Sequence, residues 1–205
     1  MNKPKLFASA TALALTIALA GCGSGGDGPV TSSSASPAAS ATSAGPARAA
    51  PATGPHDDAD LMFVQMMIPH HRQAVEMADM IVGKQGIDSD VTRLASQIRA
   101  AQSLEIDQMT GWSTEWGQGA TPMGMDHAMG GTMSEQDMDA LDKATGDQAA
   151  KLFLTGMISH HQGAIDMARD ELANGQSPAA KELAQSIADS QQSEIATMKG
   201  LLSRY

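Results

Sequence analysis

The sequence predicts an all-α protein, a four-helix bundle made of two repeated helical hairpins joined by a methionine-rich loop and a short helix. Three observations predict it: one supersecondary unit occurs twice, apolar residues recur at helical period within each copy, and no segment shows a convincing strand pattern. Two hairpins with short internal loops have to bury their apolar stripes on each other, which is the geometry of a four-helix bundle.

The repeat is explicit. Phe63, Met67, Ile68, His70, His71, Ala74, Met77 and Ala78 meet identical residues at Phe153, Met157, Ile158, His160, His161, Ala164, Met167 and Ala168. After a one-residue shift, Leu94, Ala95, Ile98, Gln102, Glu105, Ile106, Met109 and Gly111 meet Leu183, Ala184, Ile187, Gln191, Glu194, Ile195, Met198 and Gly200.

Taken from the N-terminus, residues 1–21 carry Lys3 and Lys5, an apolar run from Leu6 to Ala20, and then Gly21 before Cys22. This pattern resembles a bacterial lipoprotein signal peptide with its lipobox, in which Cys22 becomes the lipid-bearing first residue of the mature chain. The apolar run is short for a span that stays in the membrane. Loss of Lys3 and Lys5 with the leader takes the formal charge from −10 to −12. Cys22 is the single cysteine, so no disulfide forms within the chain, and soft metal ligands outside the cytoplasm have to be Met or His. Residues 22–56 are almost wholly Gly, Ser, Ala, Thr and Pro, a composition that buries no core and reads as a disordered tether. The folded domain is then expected at 57–205.

Within that domain the first helix is expected from about Asp58 to Lys84, repeated from about Gly146 to Ala173, with Gly86 and Gly175 as stop signals. The second is expected from about Asp90 to Trp112, repeated from Pro178 to Leu202, where Ser177 and Pro178 form a cap and first-turn pair. Residues 113–133 read as a Gly- and Met-rich loop, followed by a short helix from Ser134. Pro69 is a local conflict, because a proline inside a helix lacks the backbone N–H; a bend or break beside His70 is expected.

Helical projection places the polar groups. With Met67 at 0°, His70 and His71 fall at about 300° and 40°, straddling the apolar face, while Glu76 and Asp166 fall away from it and are expected in solvent. With Leu94 at 0°, Glu105 falls at about 20° between Ile98 and Met109, so a carboxylate sits in an apolar stripe. Glu194 takes the same position among Ile187, Met198 and Leu201. A carboxylate there must be protonated, paired or metal-bound. Two readings stand: Glu105 and Glu194 form structural hydrogen bonds with the histidines, or His70, His71, His160, His161, Glu105 and Glu194 ligate a metal with Met67, Met157, Met109 and Met198.

Fifteen methionines against three Phe, two Trp and one Tyr is an unusual balance. Met62, Met66, Met77, Met80, Met138 and Met167 read as adaptable core filler at helical positions. Met123, Met125, His127, Met129 and Met133 fall instead in a glycine-containing loop with no core to fill. Thioether and imidazole together suit copper(I) or silver(I), and a thioether needs no deprotonation. The acidic chain offers no basic stripe for a phosphate backbone, so nucleic acid is not an expected partner.

The two copies of M-I-x-H-H-x-x-A-x-x-M-A (Met67 to Ala78, Met157 to Ala168), the Glu105/Met109 and Glu194/Met198 pairs and the Met-rich connector before Ser134 resemble the bacterial family called domain of unknown function 305, over about 60 to 204. The resemblance implies a ferritin-like fold, export, and copper binding or tolerance in the cell envelope. Gly156, standing where the first copy has Met66, departs from the repeat and implies unequal halves.

The expectation is therefore a lipid-anchored extracytoplasmic protein that binds copper(I), or another transition metal, for buffering, tolerance or transfer to an envelope copper protein. Two alternatives stand beside it: a di-iron redox enzyme of ferritin type, and a metal-free envelope interaction module. The Glu-x-x-His signature of the first is absent, since the residues three after Glu76, Glu105, Glu171 and Glu194 are Asp79, Gln108, Asn174 and Thr197. No catalytic residues are assigned.

Overall fold

The computed structural model describes residues 54–117 and 130–205. Among them are the helices α1 (Asp58–Gly83), α2 (Ser89–Glu115), α3 (Glu135–Lys143), α4 (Gly146–Asn174) and α5 (Pro178–Leu202), and no strand. The expected leader (1–21), the expected lipidation residue Cys22, and Met123, Met125, His127 and Met129 of the expected loop lie outside the described residues. No described helix is long and apolar enough to cross a membrane.

Local chemistry starts the helices where the sequence places them. The Asp57 side chain accepts from the N–H groups of Ala59 and Asp60 while Asp60 returns a bond to the Asp57 N–H, a reciprocal capping box. Ser134 and Ser177 cap α3 and α5, the latter with Pro178 in the first turn. Gly175 follows α4 at φ −67, so it is not needed for a left-handed turn. Instead a Cβ there would overlap the Glu171 carboxyl group, 2.6 Å from its Cδ.

Two expectations are corrected. The break expected beside His70 does not occur, since α1 runs unbroken through Pro69. The lost hydrogen bond is outweighed because Val64, Met67, Ile68, His70 and His71 around it are all buried. α2 continues past Trp112 to Glu115, because Ser113 is buried and Trp116 stacks on His56 with ring centroids 4.6 Å apart. The methionine-rich loop is shortened accordingly.

α1 and α4 run antiparallel at the centre, α2 packs on α1, α5 packs on α4, and α2 and α5 barely meet. Each half of the molecule has its own core. One gathers Ile81, Leu94, Ile98, Phe153, Met157 and Met198; the other gathers Phe63, Met67, Met109, Trp112, Leu183 and Ile187. The repeated hairpins are thus related by an approximate two-fold axis through the middle of α1 and α4. α3 departs from this symmetry, lying against α1 and α4 with Leu141 fully buried.

The end of the bundle near the α1 N-terminus is closed by acid groups. Asp60 is fully buried and its carboxylate accepts from the N–H groups of Asp57 (2.7 Å), Gln176 (3.1 Å) and Ser177 (2.9 Å). Burial would raise its pKa, but these N–H donors and Glu171 together hold it below the usual carboxylate value. Burial first, and then the adjacent Asp60 carboxylate, push Glu171 up to about 8. A carboxyl raised in the folded state binds its proton there before the unfolded chain does. Its contribution is therefore complete below the unfolded value of 4.5 and is lost as pH rises toward 8. Glu171→Gln is expected to flatten that loss, which is on the order of a few kcal/mol. Denaturant midpoints at pH 5 and pH 8 check it, and parallel behaviour of variant and wild type would refute it.

Candidate metal centre

The two His-His motifs meet where α1 crosses α4. Helical spacing aims both histidines of each pair at the bundle interior, and all four side chains are fully buried. His70 and His160 lie at the two-fold axis with ring centroids 3.7 Å apart, tilted by 39°. His71 and His161 point outward from this pair toward α2 and α5. His71 Nε2 donates to Glu105 Oε2 at 2.7 Å, and His161 Nε2 to Glu194 Oε2 at 2.6 Å. The carboxylates in the apolar stripes are therefore paired. Their side chains keep 17% and 24% of their surface exposed, so each His–Glu pair has one solvent-facing side.

The central pair is less symmetric. His160 Nε2 donates to the His70 backbone oxygen at 3.0 Å. The two-fold equivalent would join His70 to the His160 oxygen; instead His70 Nε2 donates to the oxygen of Gly130, at 3.3 Å. Gly130 belongs to the connector that crosses α4, and three small residues make the crossing possible. A Cβ on Gly163 would overlap the Gly130 oxygen, one on Gly131 (φ 83) would overlap the Ser159 oxygen, and one on Gly156 would sit 2.6 Å from Met133 Sδ. Gln73 clamps the connector from α1, donating to the Met133 oxygen at 2.9 Å and accepting from its N–H at 2.8 Å.

This corrects the reading of Met133 as a residue with no core to fill. Met133 is half-buried against the core, its sulfur in the notch that Gly156 leaves. The departure of Gly156 from the repeat thus has a steric reason. Met66 at this position would exclude Met133.

One feature unites the four histidines. Every Nε2 faces an oxygen acceptor, so every ring carries its proton there, and every Nδ1 is buried with no hydrogen-bond partner. Burial, followed by the neighbouring imidazoles, lowers the pKa of His70 to about 3 and of His160 to about 2, so both rings are neutral at pH 7. A neutral imidazole that donates from one nitrogen and keeps a bare lone pair on the other is the metal-ligating form, and a carboxylate behind it fixes the tautomer.

The predicted thioethers are placed nearby in two sets. Met67 and Met109 are fully buried in one core cluster, Met157 and Met198 in the other. Among the described residues, no group of three or more His, Asp or Glu gathers as a ready cage. Glu105 and Glu194 engage the histidines, not an open coordination position. Glu76 and Asp166 are exposed, as the projection predicts.

Sequence reasoning passed over Gln102 and Gln191, buried one turn before Glu105 and Glu194, and over Asp60 and Glu171. The glutamines were visible as repeated polar residues in an apolar stripe. The acidic pair had no such signal, since its burial depends on the loop at Gln176 and Ser177.

The family described as Domain of unknown function (DUF305) matches residues 60–202. A DUF305 fragment from Deinococcus radiodurans is 34% identical with a TM-score of 0.68, covering 74% of this chain and 100% of its own. A DUF305 protein from Streptomyces coelicolor is 32% identical with a TM-score of 0.67, covering 71% and 91%. CopM in its Cu(I)-bound form is 32% identical with a TM-score of 0.61, covering 71% and 96%, and CopM is also solved in Cu(II)-bound and Ag-bound forms. Among curated proteins, nothing matches the chain.

Proposed function

Because the chain belongs to the DUF305 family, we propose that it is an extracytoplasmic copper(I)-binding protein, held to the membrane by lipid on Cys22, that buffers copper or passes it to an envelope copper protein. The observation that carries this reading is the set of four buried imidazoles with bare Nδ1 atoms. A core that needed these histidines only for structure would pair both nitrogens, because an unpaired buried acceptor is costly. Copper(I) takes soft thioether and neutral imidazole donors, and those are the donors the two halves bury. Similarity to CopM, solved with Cu(I) and Ag, supports the same assignment.

In this reading His71 and His161 are ligands, with Met67 and Met109 on one side and Met157 and Met198 on the other supplying sulfur. Glu105 and Glu194 act behind the ligands: each accepts the Nε2 proton and so keeps the Nδ1 lone pair available. His70 and His160 complete the imidazole set at the axis. Met123, Met125, His127 and Met129 form a second, weaker donor group, and Met129 directly precedes the Gly130 that His70 holds.

Titration of the protein with copper(I) against a competing chelator tests the assignment. His71→Ala with His161→Ala is expected to abolish tight binding. Glu105→Gln with Glu194→Gln is expected to weaken it by about 10–100-fold, the usual cost of removing a carboxylate behind a ligating histidine. Wild-type affinity no better than that of a methionine-poor control protein ends the copper reading. Iron at about two per chain with oxygen reactivity would favour the di-iron enzyme instead.

A further inference from the structure

The approximate two-fold axis gives the bundle two equivalent grooves between α1 and α4, and the described residues fill only one. In the filled groove Met133 occupies the notch between Gly156 and Met77, Leu141 of α3 is buried against the core, and Lys84 Nζ donates to the Asp142 oxygen. Its twin, at the other end of α1 and α4, is an open groove of about 390 Å³ lined by Met62, Met66, Met167, Asp170, Glu171 and Asn174. Met62 is 51% exposed and Met66 is half-buried, so neither is the core filler their helical spacing predicts.

The residue exchanges between the twins show what kind of occupant each accepts. Met77 of the filled groove corresponds to Met167 of the open one, so the thioether is kept. Met80 and Ile81, which lie in or against the core cluster that also holds Leu141 of α3, correspond to Asp170 and Glu171. The floor that receives an apolar helix in one groove is acidic in the other. Glu171 is 2% exposed, with its carboxyl group against that of Asp60. Carboxyl groups beside three thioethers disfavour a second apolar helix and favour a soft cation.

We propose that Met62, Met66 and Met167 form a second, surface-accessible site for a soft monovalent cation, copper(I) or silver(I), with the exposed Asp170 carboxylate supplying the negative field that draws the cation in. Met62 and Met66 stand one helical turn apart on α1, so both thioethers reach the same point, and Met167 approaches from α4. Flexible methionine side chains close on an ion without movement of the helices. The site is separate from the buried histidines and does not depend on them for its donors.

Silver(I) titration of full-length protein labelled with ¹³C at the methionine methyls tests the proposal, in wild type and in a His71→Ala, His161→Ala background. The methyl signals of Met62, Met66 and Met167 are expected to shift together in both. The Met62→Leu, Met66→Leu, Met167→Leu variant keeps the volume and apolar character of the groove but not its sulfur. It is expected to bind one silver ion fewer per chain with an unchanged melting temperature. Unshifted methyls at these three positions while other methionines respond, or undiminished stoichiometry in the leucine variant, would overturn the proposal. Loss of binding at the histidines with retention at these methyls would refute the copper role of the buried centre and leave the groove site standing.

Discussion

Acidification from pH 7 to pH 3 is expected to cost the fold on the order of 5 kcal/mol, driven by His70 and His160. Both are neutral when buried, with pKa values of about 3 and about 2 against 6.5 when exposed. The sign follows from where the protons go first. Below pH 6.5 the unfolded chain binds them and the folded chain does not, so the stability these rings allow is complete above 6.5 and is lost as pH falls. Each group tilts the balance by about 1.4 kcal/mol per pH unit, so the pair contributes about 2.7. Glu171, moving the other way between 4.5 and 8, offsets about half of this over their shared range. A loss of this size matches the lower end of total domain stability, about 5–15 kcal/mol. Denaturant melts at steps between pH 7 and pH 3, with imidazole proton shifts recorded alongside, check the prediction. Native-state titration of either ring near pH 6 would contradict it.

Gly163→Ala is expected to destabilise the protein by about 2–3 kcal/mol, the cost of forcing a methyl into filled space. The added Cβ would overlap the Gly130 oxygen and come within 3.2 Å of His70 Nε2. The connector would have to lift, breaking the His70–Gly130 hydrogen bond and loosening the Gln73 clamp on Met133. The direction is diagnostic, because alanine in place of glycine inside a helix ordinarily gains about 0.5–1 kcal/mol. Gly111 and Gly200 are also helical, and a Cβ at either meets nothing within 4 Å. Gly111→Ala and Gly200→Ala are therefore expected to raise the melting temperature while Gly163→Ala lowers it. A Gly163→Ala variant as stable as these controls would show that the connector does not rest on α4.

The methionines illustrate how far composition reaches. Met77, Met80 and Met138 pack on the core as helical spacing suggests, and Met67, Met109, Met157 and Met198 are buried in matching pairs. Met133 and Met62 exchange roles relative to that reading: the loop residue is packed and the helical one is half exposed. Periodicity reports which face of a helix points inward. It does not report whether anything covers that face at a given turn.

What the sequence by itself determined is whatever depends on near neighbours in the chain. The helices, their caps at Asp57, Ser134 and Ser177, the duplicated hairpin and the inward direction of His71, His161, Glu105 and Glu194 all follow from residues within a few turns of one another. Pro69 marks the limit of that logic, since the helix persists through it on the strength of burial contributed from elsewhere. Only the tertiary structure decided that Glu105 and Glu194 stand behind the histidines, that every Nδ1 is left without a hydrogen-bond partner, and that, among the described residues, Met133 and α3 fill one of two equivalent grooves while its twin stays open. The reason is the antiparallel crossing of α1 and α4. It brings His70 onto His160, Asp60 beside Glu171 and Gly130 across Gly163, joining residues far apart in the chain whose local patterns carry no trace of one another.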